Sequence, residues 1–236
     1  AVTADHGESL GEHGEPTHSY SIYDATQRVP LLLKGAGLPA GKVVPQVVRL
    51  SDVAPTILSL AGLPPLEGAD GRDLLPLVEG RSEAPRRAYM ETLATQLDMG
   101  WAPLFGLRDA TAKLIRAPRP ELYDLAADPK ELRNRAAEDP ARVASLDAPL
   151  GEILASARPL SAPVALAEAE RLRLESLGYV VPRAGDVARA AKGTEGPDPK
   201  DEIGVLAVMT KASSLIQKGR PAEAYEVLRQ AGDRGT

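Results

Sequence analysis

The sequence predicts an α/β core flanked by helices, then a small antiparallel sheet, then a helical hairpin. Three observations predict it. Up to residue 85, short apolar runs alternate with helix-like stretches. Between residues 86 and 125, four short strand candidates follow one another with tight connections. After residue 201, two amphipathic stretches flank Gly219-Arg220-Pro221. The resulting division is a core over 1–85, a sheet subdomain with helices over 86–181, a linker over 182–200 and a hairpin over 201–236. Hydrophobic residues make up 43% of the 236, enough for a core, but aromatics only 3%, so Leu, Val, Ala and Ile must fill it.

Ala1 to Ala4 reads as the end of a short buried strand running into a loop. Val29 to Leu33 is a second buried-strand candidate, with Pro30 suited to its beginning or to an edge. Val43 to Leu50 is a third. Ser51-Asp52 offers helix N-caps, Pro55 suits a first turn, and Gly62 can close the helix. Thr56 reads as a first-turn packing position. Leu74 to Val78 predicts a short helix ended by Gly80. Residues 87–92, 104–108, 113–116 and 121–125 are the four strands of the small sheet. In the last, Tyr123 and Leu125 are expected to pack, and Asp128-Pro129 to turn. Helices are expected over 141–155 and 165–177, with Val143, Leu146, Leu150, Ile153 and Leu154 on one side of the first. Residues 182–200 carry Pro, Gly, Ala and charges without periodicity, which predicts a linker. The hairpin is expected as a helix over 203–218, a turn over 219–221 and a helix over 222–231. Ala212, Leu215, Gly219, Ala224, Leu228 and Ala231 have the spacing of a tetratricopeptide repeat. A solenoid repeat does not bury its face alone, so the chain is expected to continue past Thr236. A start on the last residues of a strand likewise predicts a preceding portion.

The chemistry concentrates at the beginning. All three histidines, His6, His13 and His18, fall in the first 18 residues, in a glycine-rich loop shared with Asp5, Glu8, Glu12 and Glu15. Imidazole and carboxylate are the side chains that bind divalent metals and move protons near neutral pH. Asp5-His6-Gly7 follows a strand candidate, and ligands in open α/β sheets bind where strands hand over to loops. A tight turn at Gly7 can aim Asp5 and His6 at one ion. Two ligands are too few, so others must come from elsewhere. Glu8, Glu12 and Glu15 read as a solvated acidic rim. Arg28 reads as pairing with a carboxylate near the strand. Cysteine is absent, which removes disulfides and thiolate chemistry. A net charge of −5 with no long basic tract argues against nucleic acid. No apolar run reaches the ~18 residues of a membrane span.

Six ordered blocks then resemble a known family: V-T-A-D-H-G-E-S-L-G-E-H-G, R-V-P-L-L-L-K-G, L-S-D-V-A-P-T-I-L-S-L-A-G-L-P, D-G-R-D-L-L-P-L, and the later pair L-R-D-A-T-A-K-L-I and E-L-Y-D-L-A-A-D-P-K-E-L-R-N. They are similar to the C-terminal half of a sulfatase, of the alkaline-phosphatase superfamily, over about residues 1 to 180. The resemblance implies an incomplete alkaline-phosphatase-like sheet and a metal-dependent hydrolase of sulfuric esters. It implies Asp5 and His6 as metal ligands, with calcium the usual sulfatase ion and manganese or zinc the alternatives. It implies that His18 contacts the sulfuryl or phosphoryl oxygens of the substrate, and gives His13 no role. The family's nucleophile is a formylglycine in a C/S-x-P-x-R motif that this chain lacks, so the chain alone is expected to be inactive. Phosphodiester, phosphonate or phosphotransfer chemistry is the alternative within the superfamily. A tetratricopeptide interaction protein with a degenerate hydrolase domain is the alternative outside it. The resemblance further implies a periplasmic or extracellular location, and the repeat spacing a protein partner.

Overall fold

The computed structural model of the chain describes residues 1–81, 83–157, 170, 172–173 and 195–232. Its centre is a four-stranded antiparallel sheet in the order β1-β2-β3-β4. The strands are β1 (Ala88–Thr92), β2 (Leu104–Arg108), β3 (Ala112–Arg116) and β4 (Glu121–Asp124). The register places Met90 opposite Gly106, Gly106 opposite Ile115, and Leu114 opposite Leu122. The four expected strands therefore form, each within two residues of its expected ends.

Both faces of this sheet are covered. Leu107, Ala112, Leu114 and Leu122 pack against Leu146 and Leu150 of helix α5 (Pro140–Ser156). Asp139 caps that helix by accepting the Arg142 N–H, and Pro140 occupies its first turn. The alternate strand residues Met90, Leu104, Ile115 and Tyr123 face the other way, onto Ile22 and Tyr23 of the N-terminal segment. Gly106 lets Ile22 sit there, since a Cβ on Gly106 would stand 2.9 Å from Ile22 Cδ1. The histidine-bearing loop is thus seated on the sheet face opposite α5.

The N-terminal elements are short: α1 (Asp24–Gln27), α2 (Val53–Leu60) and α3 (Leu75–Val78). The three strands expected before residue 51 do not form. Val2 and Leu32 make one isolated antiparallel bridge, and both are more than half exposed. Val43 is exposed as well. A strand needs a ladder on each side to bury its apolar run, and among the described residues no such neighbours flank these. Helix α4 (Ala94–Met99), between β1 and β2, was not expected. No helix among the described residues is long and apolar enough to cross a membrane.

Asp52 does not cap α2 as expected, and Thr56 does more than pack. Asp52 is fully buried and makes no side-chain cap. It accepts the N–H groups of Arg49 and Arg72, pairs with the Arg49 guanidinium at 2.8 Å, and pairs with Arg86 at 3.1 Å. Thr56 Oγ1 donates to Asp52 O and accepts the Leu74 N–H. Gly71 passes so close to Ser51 O that a Cβ would stand 1.8 Å away. Together these contacts tie the start of α2 to residues 71–74, which lead into α3.

At the C-terminal end, the helix expected over 165–177 lies almost wholly outside the described residues. The linker expected over 182–200 is corrected where it is described. Residues 195–200 dock onto the sheet, and α6 (Pro199–Glu202) begins inside them. Ala102 N donates to Pro197 O at 2.9 Å, and Asp198 is buried. The hairpin then forms from α7 (Gly204–Gln217) and α8 (Pro221–Gly232). Ala212 and Ala224 are its buried small residues.

Candidate functional site

The loop from Asp5 to His18 folds back on itself. Ser9 N donates to Thr17 O and Gly11 N to Glu15 O. Gly11 and Gly14 take positive φ, and His13 also does, at 53°. Gly7 is required by its neighbours. It donates its N–H to Thr26 O at 2.8 Å, and a Cβ on it would stand 2.2 Å from Ala25 O. The turn after His6 is thereby pressed onto α1.

This closure brings Asp5, His6 and His18 together. The His6 and His18 rings lie 4.1 Å apart, tilted by 30°. His6 Nδ1 sits 2.7 Å from Gly7 O. A carbonyl only accepts, so Nδ1 carries the proton and Nε2 keeps its lone pair. That Nε2 lies 3.7 Å from Asp5 Oδ2. Two donors ~2.0–2.2 Å from one cation sit about this far apart at a bond angle wider than tetrahedral. The Asp5 side chain is 89% exposed, and its Oδ1 accepts the adjacent His6 backbone N–H. Among the described residues no third His, Asp or Glu completes a metal cage.

His18 Nδ1 meets the Glu8 carboxylate at 3.1 Å. Glu8 is exposed, as a rim carboxylate would be, and is also a partner of His18. Glu12 turns inward on its own loop, where the backbone N–H of Leu10 lowers its pKa most. Glu15 departs furthest from the expectation. It is fully buried, accepting Tyr20 N–H at 2.8 Å and the Ser21 hydroxyl, and so pins the end of the loop. Arg28 is exposed and makes no ion pair among the described residues, against the expected carboxylate partner. It lines an open cleft of about 1350 Å³ together with Thr3, Asp5 and Arg108.

Beneath the loop lies a charged layer. Lys113 on β3 is fully buried. Its ammonium contacts Asp24 Oδ1 and Glu131 Oε1, each at 2.6 Å, and Ile22 O at 3.2 Å. Arg108 on β2 pairs with Asp24 Oδ2 at 2.6 Å. Burial opposes ionisation of Asp24, but the Lys113 and Arg108 charges outweigh it and hold its carboxyl below the usual range. Burial prevails at Glu131 and pushes its carboxyl up, despite Lys113. Glu131 also accepts the Asp24 N–H at 2.6 Å, which fixes the start of α1.

A second buried carboxylate, Glu121 on β4, accepts the hydroxyls of Tyr23, at 2.7 Å, and Tyr123. Burial first, and then the Glu121 charge, push both phenols far above their ordinary value. The Tyr23 ring stacks on His13 with centroids 3.6 Å apart, while His13 Nε2 lies 3.1 Å from Lys130 O. His13 is thus a packed member of the loop, held by Tyr23 and Lys130. Arg108, Lys113 and Glu121 were missed as a group. Their signal is charge at strand positions of one parity, on three neighbouring strands, where an apolar residue would otherwise face the N-terminal segment.

Residues 11–158 match the family described as N-sulphoglucosamine sulphohydrolase, C-terminal. The chain is 37% identical over 162 residues to arylsulfatase K of Gallus gallus, a match covering 64% of the chain and 30% of that protein. The chain thus spans under a third of the length of this relative. Among solved structures, a complex with the substrate D-glucosamine-2-N,6-O-disulfate is 28% identical, with a TM-score of 0.53 over 65% of this chain and 33% of that one. The phosphonate monoester hydrolase of Agrobacterium radiobacter is 27% identical, with a TM-score of 0.53 over 65% and 34%. With well over half of its residues inside the family model, this chain belongs to the sulfatase C-terminal family.

Proposed function

We propose that the protein is a metal-dependent sulfuric ester hydrolase, and that this chain supplies part of its metal site and a substrate contact. One observation carries the reading: a single loop closure juxtaposes Asp5, His6 and His18, three residues with the chemistry for metal and oxyanion binding. Similarity to arylsulfatase K and to a structure holding a sulfated glucosamine supports sulfate over other esters.

Asp5 Oδ2 and His6 Nε2 are the donors that would hold a divalent ion, and the separation of the two atoms fits a shared cation. When bound, the ion polarises the sulfuryl oxygens and orients the ester. His6 is held for this by its Nδ1–H bond to Gly7 O, and Gly7 by α1. His18 donates Nδ1–H to Glu8, which fixes the ring and leaves Nε2 for a substrate oxygen. With Nδ1–H on Glu8, a ring that also carried a proton on Nε2 would be an imidazolium, and passing that proton to the departing alkoxide would neutralise its charge and leave His18 neutral. The donor pair accepts calcium, manganese or zinc. The α7–α8 hairpin, with Val205, Met209, Tyr225 and Leu228 exposed, reads as a tetratricopeptide-like unit suited to a protein partner.

The test is Asp5→Ala in the full-length protein. Bound metal, read by elemental analysis, should drop by about one ion, and hydrolysis of an aryl sulfate should fall at least ~10³-fold with the unfolding midpoint unchanged. Unaltered metal content and rate would overturn the assignment. The phosphonate hydrolase neighbour supports a second reading in which the ester is a phosphonate. The ratio of aryl sulfate to aryl phosphonate turnover decides between them.

A further inference from the structure

The segment that follows residue 194 reaches the site loop by two routes. Its own seat is built. Gly196 passes so close to the turn before β2 that a Cβ would stand 2.8 Å from Ala102 N. Asp198 accepts Arg119 N–H at 3.1 Å and Lys200 N–H at 3.1 Å, and Arg119 reaches Asp201 at 2.6 Å. The first route is polar. Lys200 Nζ lies 3.1 Å from Glu121 Oε1, and Glu121 Oε2 holds the hydroxyl of Tyr23, whose ring stacks on His13. The second route is apolar. Ile203 Cγ2 stands 3.0 Å from where a Cβ on Gly14 would be. Both routes end on adjacent residues of the loop between His6 and His18.

We propose that Lys200 and Ile203 are positioning residues, which hold the His13–Gly14 corner and through it the loop that carries His6 and His18. Lys200 balances the buried Glu121 carboxylate and keeps it oriented toward Tyr23. An unpaired buried carboxylate would turn toward water and release the ring beneath His13. Ile203 closes the opposite side of the same corner. His13, without a part in the chemistry, becomes the handle by which the C-terminal segment grips the site. The catalytic consequence rests on the hydrolase reading above, whereas the mechanical one does not.

Hydrogen exchange followed by mass spectrometry on the full-length protein separates the two. Lys200→Met and Ile203→Ala should each speed exchange at the Ser9, Gly11 and Glu15 amides about tenfold, and leave the α5 amides at Leu146 and Leu150 unchanged. Lys200→Arg should restore slow exchange, because it returns the charge to Glu121. In the same variants kcat for an aryl sulfate should fall by a similar factor with KM nearly constant, and Lys200→Arg should recover it. Wild-type loop exchange in both Lys200→Met and Ile203→Ala, or equal acceleration in α5 in both, would overturn the proposal. Ile203→Ala removes no charge, so it decides the matter if Lys200→Met unfolds. A loop that loosens in a protein with no ester hydrolysis would refute the hydrolase reading and leave the grip standing.

Discussion

Lys113 carries a positive charge into a buried place, where two of its contacts end on the N-terminal segment, at Ile22 and Asp24, and the third on Glu131 after β4. Asp24 Oδ1 and Glu131 Oε1 are buried and have this ammonium alone. Removing it leaves both oxygens unpaired and Glu131 without a cation, while Asp24 keeps Arg108, so Lys113→Met should lower stability by ~3–5 kcal/mol, measured by urea unfolding. A loss under ~1 kcal/mol would show that water reaches the pair. At this scale, Asp5, His6 and His18 were legible in the sequence because histidine is rare in the chain and clusters once. Glu15 and Glu121 were not legible. Nothing in their local sequence distinguishes a buried, hydroxyl-bonded carboxylate from a solvated one; only the fold places Ser21 and Tyr23 beside them. Tyr20 shows the same dependence on the fold. Burial first, then Asp98, push its phenol up to about 12.

Among elements, α5 packs on both β2 and β3 across one face of the sheet. Leu146 and Leu150 are both fully buried there. Leu150→Ala should cost about 2–5 kcal/mol in a urea melt, because a rigid sheet cannot collapse into the space. Exposed Ile153→Ala on the same helix should cost well under that, and equal losses would show that α5 is not anchored as described. The strands of this sheet were legible because hairpin partners lie close in sequence and turns punctuate them. The strands expected before residue 51 were misjudged for the complementary reason. An apolar run shows that a segment can be buried, and only a neighbouring strand makes it a strand. The docked stretch 195–200 was read as a linker because Pro and Gly signal the absence of periodicity. In fact Gly196 is there for a close backbone approach and Pro199 for the first turn of α6.

In the molecule as a whole, buried carboxylates set the response to acid. Asp24, Asp52, Asp109 and Asp198 are all held below the ordinary range. In each, burial raises the pKa and hydrogen bonds or cations outweigh it: Lys113 at Asp24, Arg49 at Asp52, the Thr111 N–H at Asp109 and Lys200 at Asp198. A carboxyl that protonates less readily folded than unfolded stabilises the fold above its unfolded value, near pH ~4, and loses that contribution as pH falls through the folded value. Glu131 runs the other way, since its raised pKa lets it protonate first. Four opposing one, the urea midpoint should fall between about pH 5 and 3, and a flat midpoint would refute the balance.

The Glu131-to-Asp24 hydrogen bond joins residues 107 positions apart. A ribosome releases the histidine loop long before it releases Lys113, Glu121, Glu131 or Lys200. A nascent chain therefore displays Asp5, His6 and His18 with nothing to hold them in register. The order of synthesis thus makes closure of this loop a late event, gated by completion of the sheet on which it must rest.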